Sequence, residues 1–170
     1  MWRNLFLAPF LTLALMLASP AAAARFEAVV VRVKDGDSLV VERVREKRQS
    51  ELRLFGIDAP ELDQPWGIQS RTALRRLVGG KTVTVETTDR DRYGRLVARV
   101  WVGRTYVNAA MVWSGDAWAF TRFGPDKAIV DGQKAAKAAA RGLWALPPKD
   151  RVPPATWRER NPRRDPGRDS

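Results

Sequence analysis

Arg53-Leu54-Phe55-Gly56-Ile57-Asp58-Ala59-Pro60-Glu61 opens as an apolar strand that carries one arginine. It closes in a turn fixed by proline and bearing two carboxylates. A strand buried on at least one face does not tolerate Arg53 unless an anion meets it. Pro60 locks its own φ and pushes Ala59 into an extended conformation, so Asp58 and Glu61 leave the strand end in defined directions. An arginine and two acids at a strand mouth fit a metal-assisted phosphate site. A strand running into a solvated turn would use the same letters, so the remaining sequence has to decide.

Upstream, Phe26 to Lys34 alternates, with Val29, Val31 and Val33 on one face and Arg32 and Lys34 on the other. Asp35-Gly36 predicts a two-residue hairpin into a second strand through Leu39-Val40-Val41. Asp37 then takes the first position of that strand. Arg45 to Ser50 is a charged loop, and Leu52 to Ile57 forms the third strand. Downstream, Gln69 to Val78 predicts a helix stopped by Gly79-Gly80. Lys81 to Thr87 alternates strictly as a fourth strand, and Leu96, Ala98 and Val100 mark a fifth. The turn between them, Asp89 to Gly94, is polar, with Arg95 at its exit. Asn108 is placed to cap a short helix through Trp113. Pro125-Asp126 opens a longer helix running to Gly142, and Leu143 and Trp144 fold back as an apolar plug. Trp113 and Trp144 are expected in the core. Five short strands with about three packed helices predict an α+β, mainly β fold: a five-stranded Greek-key barrel of the oligonucleotide-binding (OB-fold) type.

Composition narrows the chemistry. The 170 residues contain no cysteine and no histidine, which excludes disulfides, Cys/His metal sites and any His-based triad. A general base must be a carboxylate, lysine or tyrosine, and any metal site must be built of oxygen. The chain holds 30 Lys+Arg against 19 Asp+Glu, a net charge of +11. The leader carries one of those charges and the stretch from Pro147 three, so the body keeps seven. A basic body points to a polyanionic partner.

Residues 1–24 read as a signal peptide: Arg3 near the start, an apolar run from Leu5 to Ala18, and small residues to Ala24 for cleavage. The run is short for a span of about 20 residues. A secreted or periplasmic protein with no stable membrane association is therefore expected, and a monomer. The domain proper is 25–146. From 147 to 170, Pro, Arg and Asp with few aliphatics predict an extended or disordered tail.

Three blocks now carry a resemblance: Asp35-Gly36-Asp37-Ser38, Arg53 to Glu61, and Asp91-Arg92-Tyr93-Gly94-Arg95. In this order and spacing they resemble the staphylococcal thermonuclease family, over roughly Phe26 to Trp144. The resemblance implies calcium-dependent hydrolysis of DNA and RNA to 3′-phosphates. It implies that Asp37, Asp58 and the carbonyl of Ala59 ligate Ca2+, that Glu61 is the general base, and that Arg53 and Arg95 grip the scissile phosphate. Tyr93 would lie near a terminal phosphate, and Asp35 would support the metal loop. Calcium takes about six to eight hard oxygens, and so few protein charges imply binding on the order of 0.1–1 mM. Ser38 stands where the family more often has Thr. The linker Leu62 to Gly67 is shorter and has no lysine. Trp118-Ala119-Phe120-Thr121-Arg122-Phe123 replaces expected tyrosines, leaving Phe120 or Phe123 to stack on a base. The competing class is a noncatalytic nucleic-acid-binding module on the same fold. Against it, Asp37, Asp58 and Glu61 would repel phosphate unless a cation sat between them. A third class is an exported surface protein using its Arg/Pro tail on anionic polymers.

Overall fold

A computed structural model describes residues 24–122, 124 and 126–162. The leader up to Ala23, the stacking candidate Phe123, Pro125 and the end of the tail lie outside the described residues. In chain order the elements are β1 (Arg25–Val33), β2 (Ser38–Arg43), β3 (Gln49–Leu54), β4 (Ile57–Asp58), α1 (Gly67–Val78), β5 (Thr82–Arg90) and β6 (Leu96–Val102). They continue as β7 (Thr105–Tyr106), α2 (Val107–Trp113), β8 (Trp118–Ala119), α3 (Lys127–Ala138), two 3-10 turns and α4 (Pro154–Arg160).

Five strands close a mixed barrel. The order β3-β2-β1-β5-β6 is antiparallel throughout, and a parallel pairing of β3 with β6 shuts it, with Leu52 opposite Leu96 and Leu54 opposite Ala98. Closure removes the exposed strand edges. The interior takes alternate residues such as Leu39, Val41, Leu52, Leu54, Val85 and Val100, all buried. With Leu52 and Leu54 turned inward, the period of two puts Arg53 on the outer face of β3. There it pairs in register with Ser38 on β2.

Several expectations are corrected. On β1 the core takes Ala28 and Val30, while Val29 and Val31 are exposed. Both parities of this strand are apolar, and a bulge between Val30 and Arg32 shifts the register, so alternation alone misjudged the face. Asn108 is not the cap of α2. It lies buried inside the helix, accepting from the Val100 N–H (3.0 Å) and donating to the carbonyls of Phe55 (2.9 Å) and Ala98 (3.1 Å). It thereby satisfies backbone groups where β6 meets the Phe55-Gly56 corner. Trp113 is exposed rather than in the core and lies against Gly132 of α3, where a Cβ would collide with its indole. Helix α3 ends at Ala138, because Ala140 turns to φ 47° and Gly142–Ala145 coil into a 3-10 turn. Leu143 and Trp144 do form a buried plug, with Ala136.

The largest difference is the tail. A 3-10 turn at Pro148–Asp150 and helix α4 occupy the stretch expected to be extended or disordered. Proline at the first helical position presets φ, and Pro154 is buried. The docking relies on polar contacts rather than aliphatic burial, which is why a low aliphatic content misread it. Gln64 Nε2 donates to the Val152 carbonyl (2.6 Å) and Trp157 Nε1 to Asp63 (3.3 Å). Among the described residues, no helix is long and apolar enough to cross a membrane.

Candidate active site

The site is assembled at one end of β2, β3 and β6. The β1–β2 loop supplies Asp35 and Asp37. Asp35 accepts the Asp37 N–H (3.0 Å), a local turn that fixes Asp37 at the entrance to β2. Gly36 is required by close approach: a Cβ there would collide with Ser70 of α1 and with Ala59. The β3 end supplies Arg53. After Phe55 the chain reverses at Gly56, where φ is +73°, and β4 delivers Asp58, held by its pairing with Trp118 of β8. A tight turn from Glu61 to Gln64 then leads into α1.

Arg53 binds these pieces together. Its Nη1 is ion-paired with Asp37, and Nη2 donates to Asp58 (2.8 Å) and the Ile57 carbonyl (3.3 Å). Both carboxylates are buried. The other oxygen of Asp37 accepts the Ala59 N–H (2.6 Å), and Ser38 donates to Asp37 (3.0 Å). Burial would raise the Asp37 carboxyl, but the Arg53 charge and hydrogen bond overcome it and hold it below the usual range. Asp35 goes the other way: burial and the Asp37 charge push it up to about 6. Burial would weaken Arg53 as a cation, but Asp37 and Asp58 raise it above the ordinary arginine value, so it stays charged.

Arg95 approaches from the β5–β6 turn. Asp91 steers it by accepting from its Nε (2.7 Å) and backbone N–H (2.9 Å), and its Nη1 reaches the Ser38 hydroxyl (3.2 Å). Tyr93 is 69% exposed at the rim, with the Arg92 and Arg95 guanidiniums 4.9 and 5.6 Å from its ring centre. Asp35, Asp37, Arg53, Glu61, Tyr93 and Arg95 all line one cleft of about 740 Å³. Asp58 is buried and reaches the cleft through its ion pairs with Arg53 and Arg158, which line it. The three sequence blocks therefore meet in one place.

Sequence reasoning missed Arg158. From α4 it donates through Nη1 to Glu61 (2.7 Å) and through Nη2 to Asp58 (3.0 Å). Burial would lower it, but hydrogen bonds to Asp58 and Glu61 raise it above the ordinary arginine value. Gln64 was missed too. Its Oε1 accepts the Glu61 N–H (3.1 Å) while Nε2 holds Val152, so one side chain ties the acid's turn to the C-terminal segment. A signal was present: Pro153-Pro154-Ala155-Thr156-Trp157 is a proline-started helix with an aromatic anchor.

Comparison with known proteins now decides the relationship. Residues 51–146 match the family described as "Staphylococcal nuclease homologue". The chain belongs to the staphylococcal nuclease family. A protein of Escherichia coli O157:H7 named "Uncharacterized endonuclease" is 39% identical over 142 residues, covering 83% of this chain and 90% of that protein. "Protein ParB" of Escherichia coli is 39% identical over 165 residues, covering 90% of each. "Probable staphylococcal-like nuclease CAN2" of Oryza sativa subsp. japonica is 38% identical over 120 residues, covering 69% of this chain and 32% of that protein. The matched 51–146 stretch of this staphylococcal nuclease homologue holds Arg53, Asp58, Glu61 and Arg95, while the Asp35-Asp37 loop precedes it and α4 follows it.

The arrangement also bears on a cation. Asp37 and Asp58 are buried carboxylates close enough to share one guanidinium. Positive charge is thus already at home between them, and their oxygen donors fit a hard divalent ion. Among the described residues no cluster of three or more acidic side chains is set to hold a metal, so the backbone and water would have to complete its shell.

Proposed function

We propose that this chain is an exported, calcium-dependent nuclease that hydrolyses phosphodiester bonds of DNA and RNA and leaves 3′-phosphates. The observation that carries it is the cleft lined by Asp37, Arg53, Glu61 and Arg95, with Arg53 also bridging Asp37 to the buried Asp58. Family membership and the nuclease names of the relatives support the same reading.

Asp37, Asp58 and the Ala59 carbonyl would hold Ca2+, which when bound supplies positive charge to the phosphate oxygens. The protein's own part is explicit. Glu61 takes a proton from the attacking water as the water oxygen bonds to phosphorus, and the bond to the 5′-oxygen breaks with solvent protonating the leaving oxygen. Arg53 and Arg95 hold the phosphate oxygens, where charge builds in the transition state, with donors in a fixed fork. Ser38 and Asp91 keep Arg95 aimed. Asp35 holds the Asp37 loop, and Tyr93 marks the rim where the strand enters.

The test is cleavage of single-stranded DNA with calcium and then with EGTA. Cleavage should stop with EGTA, and Glu61→Gln should lower turnover by about 10²–10⁴-fold. Binding without cleavage under every divalent cation would instead support the noncatalytic module.

A further inference from the structure

We infer that α4 is a wall of the nucleic-acid site, with Arg158 holding a phosphate of the bound strand and Trp157 offering its ring to a neighbouring base. The inference rests on reading the cleft as a nucleic-acid site. Trp157, Arg158 and Asn161 line the same cleft as Arg53, Tyr93 and Arg95. The lining otherwise balances poorly for a polyanion: five acidic residues face five basic ones, and Arg158 is one of the five. Without α4 the acids would outnumber the bases.

Four guanidiniums line the cleft: Arg92 is exposed at the rim with Nη2 on the Tyr93 hydroxyl, and the other three differ in how committed they are. Arg53 is 20% exposed in its side chain and spans two buried acids. Arg95 is 24% exposed and steered by Asp91. Arg158 is 46% exposed, and its bonds to Asp58 and Glu61 use Nη1 and Nη2 but not Nε. A guanidinium carries five N–H donors in a rigid plane and takes phosphate with two at once. Arg158 is thus the most exposed of these three and keeps Nε to meet a phosphate beside the partners it has. Trp157 supplies an aromatic face in the cleft, and stacking on a base needs only such a face.

The helix is seated firmly enough to serve. Gln64 holds Val152, Asp63 holds the Trp157 indole, and Arg151 Nε donates to the Leu146 carbonyl (2.5 Å). Gln64 and Asp63 follow Glu61 in its turn and Leu146 packs against the plug, so α4 and the acid are positioned together.

The test uses the full chain in chelator with a fluorescent single-stranded oligonucleotide, titrated over a salt series. Arg158→Gln should weaken binding and flatten the slope of log K against log salt by about 0.7, one phosphate contact on a single strand. Arg158→Lys should restore the slope. Trp157→Ala should weaken binding about 5- to 150-fold, the range for one lost base stack. Trp157→Phe should keep most of the affinity although it cannot donate to Asp63. An unchanged slope in Arg158→Gln, with Trp157→Phe as weak as Trp157→Ala, would reduce α4 to a latch and overturn the inference. So would tighter calcium binding by Arg158→Gln at unchanged oligonucleotide affinity, which would make Arg158 a counter-ion that guards the acids. Restoring calcium afterwards reports on cleavage separately, so a failed nuclease reading is distinguishable from a failed α4.

Discussion

Asp58 is met by two guanidiniums from opposite kinds of structure. Arg53 comes from a barrel strand, its position fixed by inward Leu52 and Leu54 on either side and by register with Ser38. Arg158 comes from a seven-residue helix, placed by the buried Pro154 and by polar contacts to a loop 88 and 94 residues earlier in the chain. The first is set by strand alternation and β-pairing, which cannot slip without turning a leucine outward. The second is set by tertiary docking, and each of its anchors can be removed without touching the barrel. A cation held by the core and a cation held by a strap can share one carboxylate and still differ in what they cost to lose.

Removing Arg53 should have the largest effect. Arg53→Ala leaves Asp37 and Asp58 buried without their shared cation, and breaking a buried pair from one side costs about 3–5 kcal/mol. It also removes a phosphate donor from the proposed transition state. Urea unfolding should show a destabilisation of that size, and turnover on single-stranded DNA should fall at least about 10²-fold. A variant as stable as the wild type would mean that Arg158 alone neutralises the pair and that the contrast drawn above is wrong.

That contrast also explains how much could be read in advance. The barrel was legible because strand alternation is local, and Leu52-Arg53-Leu54 announces its buried and outer faces in three letters. That Arg53, Glu61 and Arg95 share one cleft was legible from the three blocks that carry the family resemblance, each tied to a strand end or a turn. Arg158 was not, since nothing near it in sequence says what it touches, and a segment poor in aliphatics looks unable to dock. The β1 face and the role of Asn108 failed for related reasons. In β1 a bulge interrupts a strand apolar on both faces, and the carbonyls that Asn108 serves lie on other elements.

Gln64→Ala sharpens the comparison from the strap side. The substitution leaves the Val152 carbonyl and the Glu61 N–H without this partner, at a cost of about 1–3 kcal/mol. Trypsin should then cut sooner at Arg151 and Arg158 while the barrel remains protected, and mass mapping of the fragments checks it. Equal cleavage rates in variant and wild type would show that Pro154 and Trp157 hold the strap without Gln64.

The smallest effect concerns an acid handled the opposite way to Asp58. Asp116 is buried but is met by the Trp66 indole N–H (2.9 Å) and the Ser114 hydroxyl (2.6 Å) rather than by a guanidinium. Burial outweighs those bonds and the more distant Arg76 charge and raises its carboxyl above the ordinary 3.8. The folded state then holds a proton that the unfolded state has released, so stability falls as pH rises from about the ordinary value through the raised one. Asp116→Asn keeps polar atoms for both partners and removes the charge. It should unfold at higher urea than the wild type at pH 8, with the gain shrinking as pH falls and vanishing below the ordinary carboxylate range. A gain that persists there would trace to altered hydrogen bonding, whereas a loss at pH 8 would mean that the ionised carboxylate binds Ser114 and Trp66 strongly enough to offset its burial. The expected pattern would show that burial without a contacting arginine leaves an acid a net cost when ionised, which is the cost Arg53 offsets at Asp37 and Asp58.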